Sequence, residues 1–207
     1  LATPASPAGA QATALIAAQD IFFAAPPIAD ARAMTEGLAK NAAAADATQP
    51  ALSSVAIAGH SFARLDLRGS PLSRIVLATD LRCHVVIFTF AAADPDRLGA
   101  LAASLDHLQF SRGRPAPVCV EGYATAQTVL RRVEPVPAAP YFVSIPVRIL
   151  VAADGRVAQV HVIRATSAQR SNITDALRQW RFEPYVLSGR PVEIETGLTF
   201  RFAPAAR

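Results

Sequence analysis

The chain has 207 residues, room for one large domain or two small ones. Hydrophobic residues make up 52% of it and charged residues 17%, so a core is amply supplied, while no run of 18 apolar residues is present to form a membrane-spanning helix. The formal charge of +4 is uneven: residues 1–111 hold 7 basic and 9 acidic side chains and residues 112–207 hold 13 and 7, which points to two units, the second with a mildly basic surface.

Residues 1–19 are rich in Ala, Pro and Ser and lack periodicity, which reads as a tail or linker. The chain starts at Leu1 with no signal segment, the pattern expected of a processed or truncated product. Residues 28–46 are rich in helix-forming alanine and place Glu36 and Lys40 for an i,i+4 pair. Strands are expected at 53–58, 62–67, 74–79 and 83–91, the last two joined as a hairpin. The β-branched and aromatic run Val85-Val86-Ile87-Phe88-Thr89-Phe90 marks a central strand. Asp94 caps, and Pro95 opens, a helix over 94–108 whose buried face is Leu98, Leu101, Ala102, Leu105 and Leu108. Residues 20–111 thus read as an α+β unit with an antiparallel sheet. The hairpin at 74–91 followed by that helix resembles the PsbP/Mog1-type domains of exported bacterial proteins. Residues 112–140 carry Pro115, Pro117, Pro135, Pro137 and Pro140, which predicts an extended linker and places the domain boundary there.

The last unit, 141–207, carries the strongest pattern. Val143, Ile145, Val147, Ile149 and Val151 alternate with Ser144, Pro146, Arg148 and Leu150, as in a strand with one buried face. Asp154-Gly155 supplies a tight turn, and 157–164 return as a second strand. Ser171 stands where it can cap a short helix with Ile173, Ala176, Leu177 and Trp180 along one stripe. Gly189-Arg190-Pro191 makes the next turn. In the last strand Val192, Ile194, Leu198, Phe200 and Phe202 share one face, with Glu193, Glu195 and Arg201 on the other. Strand direction then predicts a β-β-α-β module of strand order two-one-three, with the helix on the apolar face. Its third strand is an edge of about ten residues, able to receive an extended peptide by backbone pairing. The candidate peptide-binding residues are Val192, Ile194, Thr196, Leu198, Phe200 and Phe202. Asp154, Gly155, Trp180, Arg181, Phe182, Pro184, Gly189 and Pro191 form the structural motif.

These residues carry a family resemblance. The stretch from Val147-Arg148 through Asp154-Gly155-Arg156-Val157 resembles the C-terminal domain of TonB-family proteins. So do Trp180-Arg181-Phe182-Glu183-Pro184, Gly189-Arg190-Pro191-Val192 and the final Phe200-Arg201-Phe202. The resemblance covers about 60 residues. It implies a periplasmic module that adds a short segment of an outer-membrane receptor to its last strand, 192–202, with a role in energy-coupled transport. The alternative is an envelope scaffold or a homodimer formed through the same edge. Two family features are altered here: a proline-rich 133–141 stands in place of the usual Tyr-Pro element and helix, and the chain carries no anchor segment.

Nothing in the sequence points to an enzyme. His60, His84, His107 and His161 lack metal-ligand spacing, Cys119 has no evident base, and no glycine-rich phosphate loop occurs. No cofactor is implied. Arg131-Arg132 is the sole adjacent arginine pair, which argues against nucleic-acid binding. Cys83 and Cys119 either pair, closing a loop worth roughly 3–4 kcal/mol, or sit as separate buried thiols; pairing requires an exported protein.

Overall fold

The computed structural model describes residues 12–44, 50–69, 71–110, 116–137 and 143–202. The chain divides into two compact units, Leu1–Gly113 and Arg114–Arg207.

Over its described residues the first unit holds one five-stranded antiparallel sheet and two α-helices. The strands are β1 (Ala12–Asp20), β2 (Ala51–Ile57), β3 (His60–Leu67), β4 (Ser73–Leu81) and β5 (His84–Ala92), in the spatial order β1-β5-β4-β3-β2. Helix α1 (Ala31–Ala44) packs on one face and α2 (Pro95–Ala103) on the other. The alternation of β4 shows this directly: Val76 and Ala78 pack with the α1 side, Ile75 and Leu77 with Leu98 of α2. Small residues at spacing four, Ala31, Thr35 and Ala39, let α1 lie close to the sheet. Asp94 caps α2 by accepting from the Asp96 N–H at 2.9 Å, and Pro95 follows at the first turn.

Three expectations need correction in this unit. Residues 12–20 are not tail but the edge strand β1, because the open side of β5 supplies partners for a segment with little strand propensity of its own. The rest of the expected tail, 1–11, lies outside the described residues. Glu36 pairs with Arg32 at 2.9 Å rather than with Lys40. The second helix ends at Ala103 and tightens into a 3₁₀ turn over Ser104–His107.

The second unit begins earlier than its last-third pattern implied. Residues 116–137 are not a free linker. They contribute β6 (Val118–Cys119) and β7 (Val129–Arg131), and Val118, Val120, Tyr123, Ala124, Val129 and Val133 pack on the core of the unit. Pro117, Pro135 and Pro137 lie outside these strands, which span only two and three residues. β8 (Ser144–Val151), β9 (Val157–Val162), α3 (Ser167–Leu177) and β13 (Ile194–Arg201) follow as β-β-α-β. Between α3 and β13 lie the short strands β10 (Arg181–Phe182), β11 (Val186–Leu187) and β12 (Arg190–Pro191). The main sheet has the order β6-β13-β8-β9, so the expected two-one-three arrangement carries a fourth strand outside the third.

Local chemistry explains the remaining differences. Helix α3 starts one turn before Ser171, at Thr166, whose side chain accepts from the Gln169 N–H while Gln169 reaches back to the Thr166 N–H, a reciprocal cap. The turn between β11 and β12 is Ser188-Gly189, both at positive φ, and Arg190 and Pro191 already belong to the return strand. Pro146 is tolerated in central β8 because it faces Thr199 at a position that makes no bond to β13. On its other side the β9 strand has ended, and the Pro146 carbonyl accepts from the Ile163 N–H at 3.1 Å.

Candidate docking edge

Asp154, Gly155, Trp180, Arg181 and Phe182 of the motif make hydrogen bonds within the module. Asp154 and Gly155 close the β8–β9 turn, where the Gly155 N–H donates to the Ala152 carbonyl at 2.9 Å. Asp154 accepts from the backbone N–H and the guanidinium of Arg156, and that guanidinium bond, with the backbone bond second, holds its carboxyl below the usual Asp range. Trp180 and Phe182 are buried at 2% and 1% exposure, which settles them as core residues. The Trp180 Nε1–H donates to the Val133 carbonyl at 2.7 Å and the Arg132 guanidinium lies 5.3 Å over its ring, so Arg132 is no idle surface charge. Arg181 donates to the carbonyl of Trp180 at 2.8 Å, near the C-terminal end of α3. Pro184, Gly189 and Pro191 are exposed around the β11–β12 hairpin.

Sequence reasoning missed Tyr123, which lay in the supposed linker. Its hydroxyl donates to the Glu183 carbonyl at 2.6 Å, its N–H reaches Thr196 Oγ1 at 3.4 Å, and its ring stacks 6.0 Å from Phe182. Burial pushes its phenol above the ordinary Tyr range. The Val118-Cys119-Val120 alternation before it was the available signal, too short to stand out.

The last strand alternates in backbone direction as well as in side chains. The Phe202 N–H donates to the Val143 carbonyl at 2.8 Å, while the carbonyls of Glu193 and Glu195 accept from the N–H groups of Val118 and Val120, each at 3.0 Å. Even-numbered residues therefore pair with β8, and odd-numbered residues turn their amides and carbonyls outward. The expected binding residues Ile194, Thr196, Phe200 and Phe202 are buried, with Val192 and Leu198 packed partly against the core. They support the strand rather than present its free groups.

The outward edge is not fully open either. β6 pairs in parallel with Ile194 and Glu195 and seals that end. Beyond it, no backbone group among the described residues meets the outward side of Gly197, Thr199 or Arg201. This leaves a rim of five residues, about 16 Å long at the usual strand rise. On the face away from α3, Arg148 of β8 reaches across to Glu195 at 3.0 Å, both side chains almost wholly buried, which ties β8 and β13 together beside the rim.

No group of three or more His, Cys, Asp or Glu able to hold a metal ion occurs among the described residues. His60 stacks on Phe110 at 4.0 Å between ring centres, and His107 and His161 are exposed. Cys83 is fully buried and Cys119 half-buried, and neither is a free thiol.

Comparison with known proteins bears on this module alone. Residues 144–204 match the family described as Gram-negative bacterial TonB protein C-terminal. Residues 144–204 form a TonB-type C-terminal domain. Among solved structures, the chain is similar to the solution structure of the Pseudomonas aeruginosa TonB C-terminal domain. The identity is 26% over 38% of this chain and 87% of that one, with a TM-score of 0.32. No curated protein matches the chain significantly. TonB-type domains are protein-interaction modules rather than enzymes, and no described helix is long and apolar enough to cross a membrane.

Proposed function

We propose that the TonB-type unit is a periplasmic docking module that takes a short extended segment of an outer-membrane receptor as an added strand along 197–201. One observation carries this reading: the outward N–H and C=O groups of Gly197, Thr199 and Arg201 stand next to a rim that β6 closes only as far as Glu195. Main-chain pairing supplies affinity in such docking, and alternate side chains supply selection. Thr199 and Arg201 expose their side chains beside the rim, and Arg201 favours an acidic residue in the partner. The match of 144–204 to the TonB C-terminal family supports the receptor as partner, and energy-coupled transport as the process served.

The test is the affinity of a synthetic receptor segment for wild type and for Thr199→Pro. The Thr199 amide makes no bond to β8, so proline there removes an outward donor and leaves the module folded. Losing one such bond predicts binding weaker by about tenfold. Equal affinity in the two proteins, or no binding to wild type, contradicts the reading.

A further inference from the structure

Among the described residues, the longest open sheet edge is in the first unit. β1 pairs with β5 on one side in an unbroken register, from Ala12 opposite Ala92 to Asp20 opposite His84. The Ile21 N–H donates to the Cys83 carbonyl at 3.3 Å, which sets the phase: odd-numbered residues bond to β5, and Ala14, Ile16 and Ala18 turn their backbone groups outward. Among the described residues nothing pairs with them. Side chains from Thr13 to Ala18 are exposed on both faces, with Leu15 63% and Ile16 68% exposed.

Natural edges of this length are guarded by lysine, proline, a bulge or a covering element. β1 has no charge before Asp20, no proline and no bulge. The other edges are shorter: β2 spans seven residues, with Ser53 and Ser54 beside α1, β9 spans six, and the rim at 197–201 ends on Arg201.

We propose that β1 is a self-association edge, along which two copies of this chain join their first units antiparallel about a twofold axis, fusing two sheets into one. An edge that selects a foreign peptide does so through pockets for alternate side chains. β1 has no such pockets, because its side chains stand clear on both faces. It does match itself. Outward residues must face outward residues, so even-numbered positions meet even-numbered positions, and the axis passes at Leu15 or at Ile16. Either register places Leu15 and Ile16 of both copies together at the centre and brings no like charges opposite one another. A single strand pair is a small interface, so the association is weak and depends on concentration. This inference is independent of receptor docking by the second unit.

Sedimentation velocity of the full chain over roughly a hundredfold range of concentration tests it. The expected result is a shift from monomer to dimer. Ile16→Lys sets like charges at the axis, and Ala14→Pro removes an outward donor without touching the bonds to β5. Each is expected to raise the concentration needed for dimerisation by about tenfold or more, and Thr199→Pro is expected to leave it unchanged. Circular dichroism confirms that each variant is folded, and one folded β1 variant is enough to decide. A monomer at every concentration overturns the proposal, as does a dimer abolished by Thr199→Pro and retained by the β1 variants. It is also overturned if the full chain stays monomeric and a variant lacking residues 1–11 dimerises, since the chain's own leading segment then covers β1.

Discussion

The Phe182 N–H donates to the Gly155 carbonyl at 2.8 Å, and a methyl group built on Gly155 would sit 2.0 Å from the Phe182 carbonyl oxygen. Gly155 also has φ of +80°, a conformation that side chains disfavour. The Asp-Gly turn and the Trp-Arg-Phe-Glu-Pro run, distant in sequence, are therefore one contact. Gly155→Ala should cost about 3 kcal/mol or more, from backbone strain together with the forced separation of the two segments. Urea unfolding measures this, and an unchanged midpoint contradicts it.

Trp180 holds the segment that leads into β8. Trp180→Phe keeps most of the apolar volume and leaves the Val133 carbonyl without its donor, for a cost of about 1–3 kcal/mol. Trp180→Ala should cost about 3–5 kcal/mol, through the cavity it leaves. If the two variants unfold at the same denaturant concentration, the indole volume contributes nothing beyond the hydrogen bond, contrary to this account.

The sequence was most legible where patterns are long. Ile145, Val147, Ile149 and Val151 recur at every second position of β8, and the family resemblance at its turn and at Trp180 led to the right module. Two features escaped. β1 is an alanine-rich strand stabilised by β5 rather than by its own propensity, so no local signal marks it. β6 spans two residues among prolines, and its pairing with β13 is a contact across more than seventy positions. The sequence selected the residues of the last strand by their side chains, and the structure shows a different set carrying the outward backbone groups. Side-chain alternation identified Ile194, Phe200 and Phe202 as a set, but the free backbone belongs to the alternate set, Gly197, Thr199 and Arg201.

Acid should weaken the β8–β9 turn in a defined window. The Arg156 hydrogen bonds lower the folded-state pKa of Asp154 below its ordinary value of 3.8. A carboxyl lowered in this way adds stability that is present above the ordinary value and fades as pH falls through the folded one. The melting temperature of wild type should therefore exceed that of Asp154→Asn most near neutral pH, and the gap should close in strong acid. A gap that stays constant with pH contradicts the ionic origin of the effect.

We propose that Cys83 and Cys119 form a disulfide, as suits an exported chain. Protein denatured and alkylated without reductant should take up no label, and reduced protein should take up label at both positions. Reduction should cost roughly 3–4 kcal/mol of stability in the chain-entropy model. Full labelling without reductant contradicts the pairing.

Residue-resolved amide exchange with and without a saturating receptor segment tests the docking edge most directly. In the free protein the amides of Leu198 and Phe200 should already be slow, because they pair with β8, while those of Gly197, Thr199 and Arg201 exchange quickly. Adding the segment should slow those three and leave their even-numbered neighbours unchanged. Slow exchange at all five positions before any peptide is added, or no change at the three outward amides at saturation, contradicts the docking account.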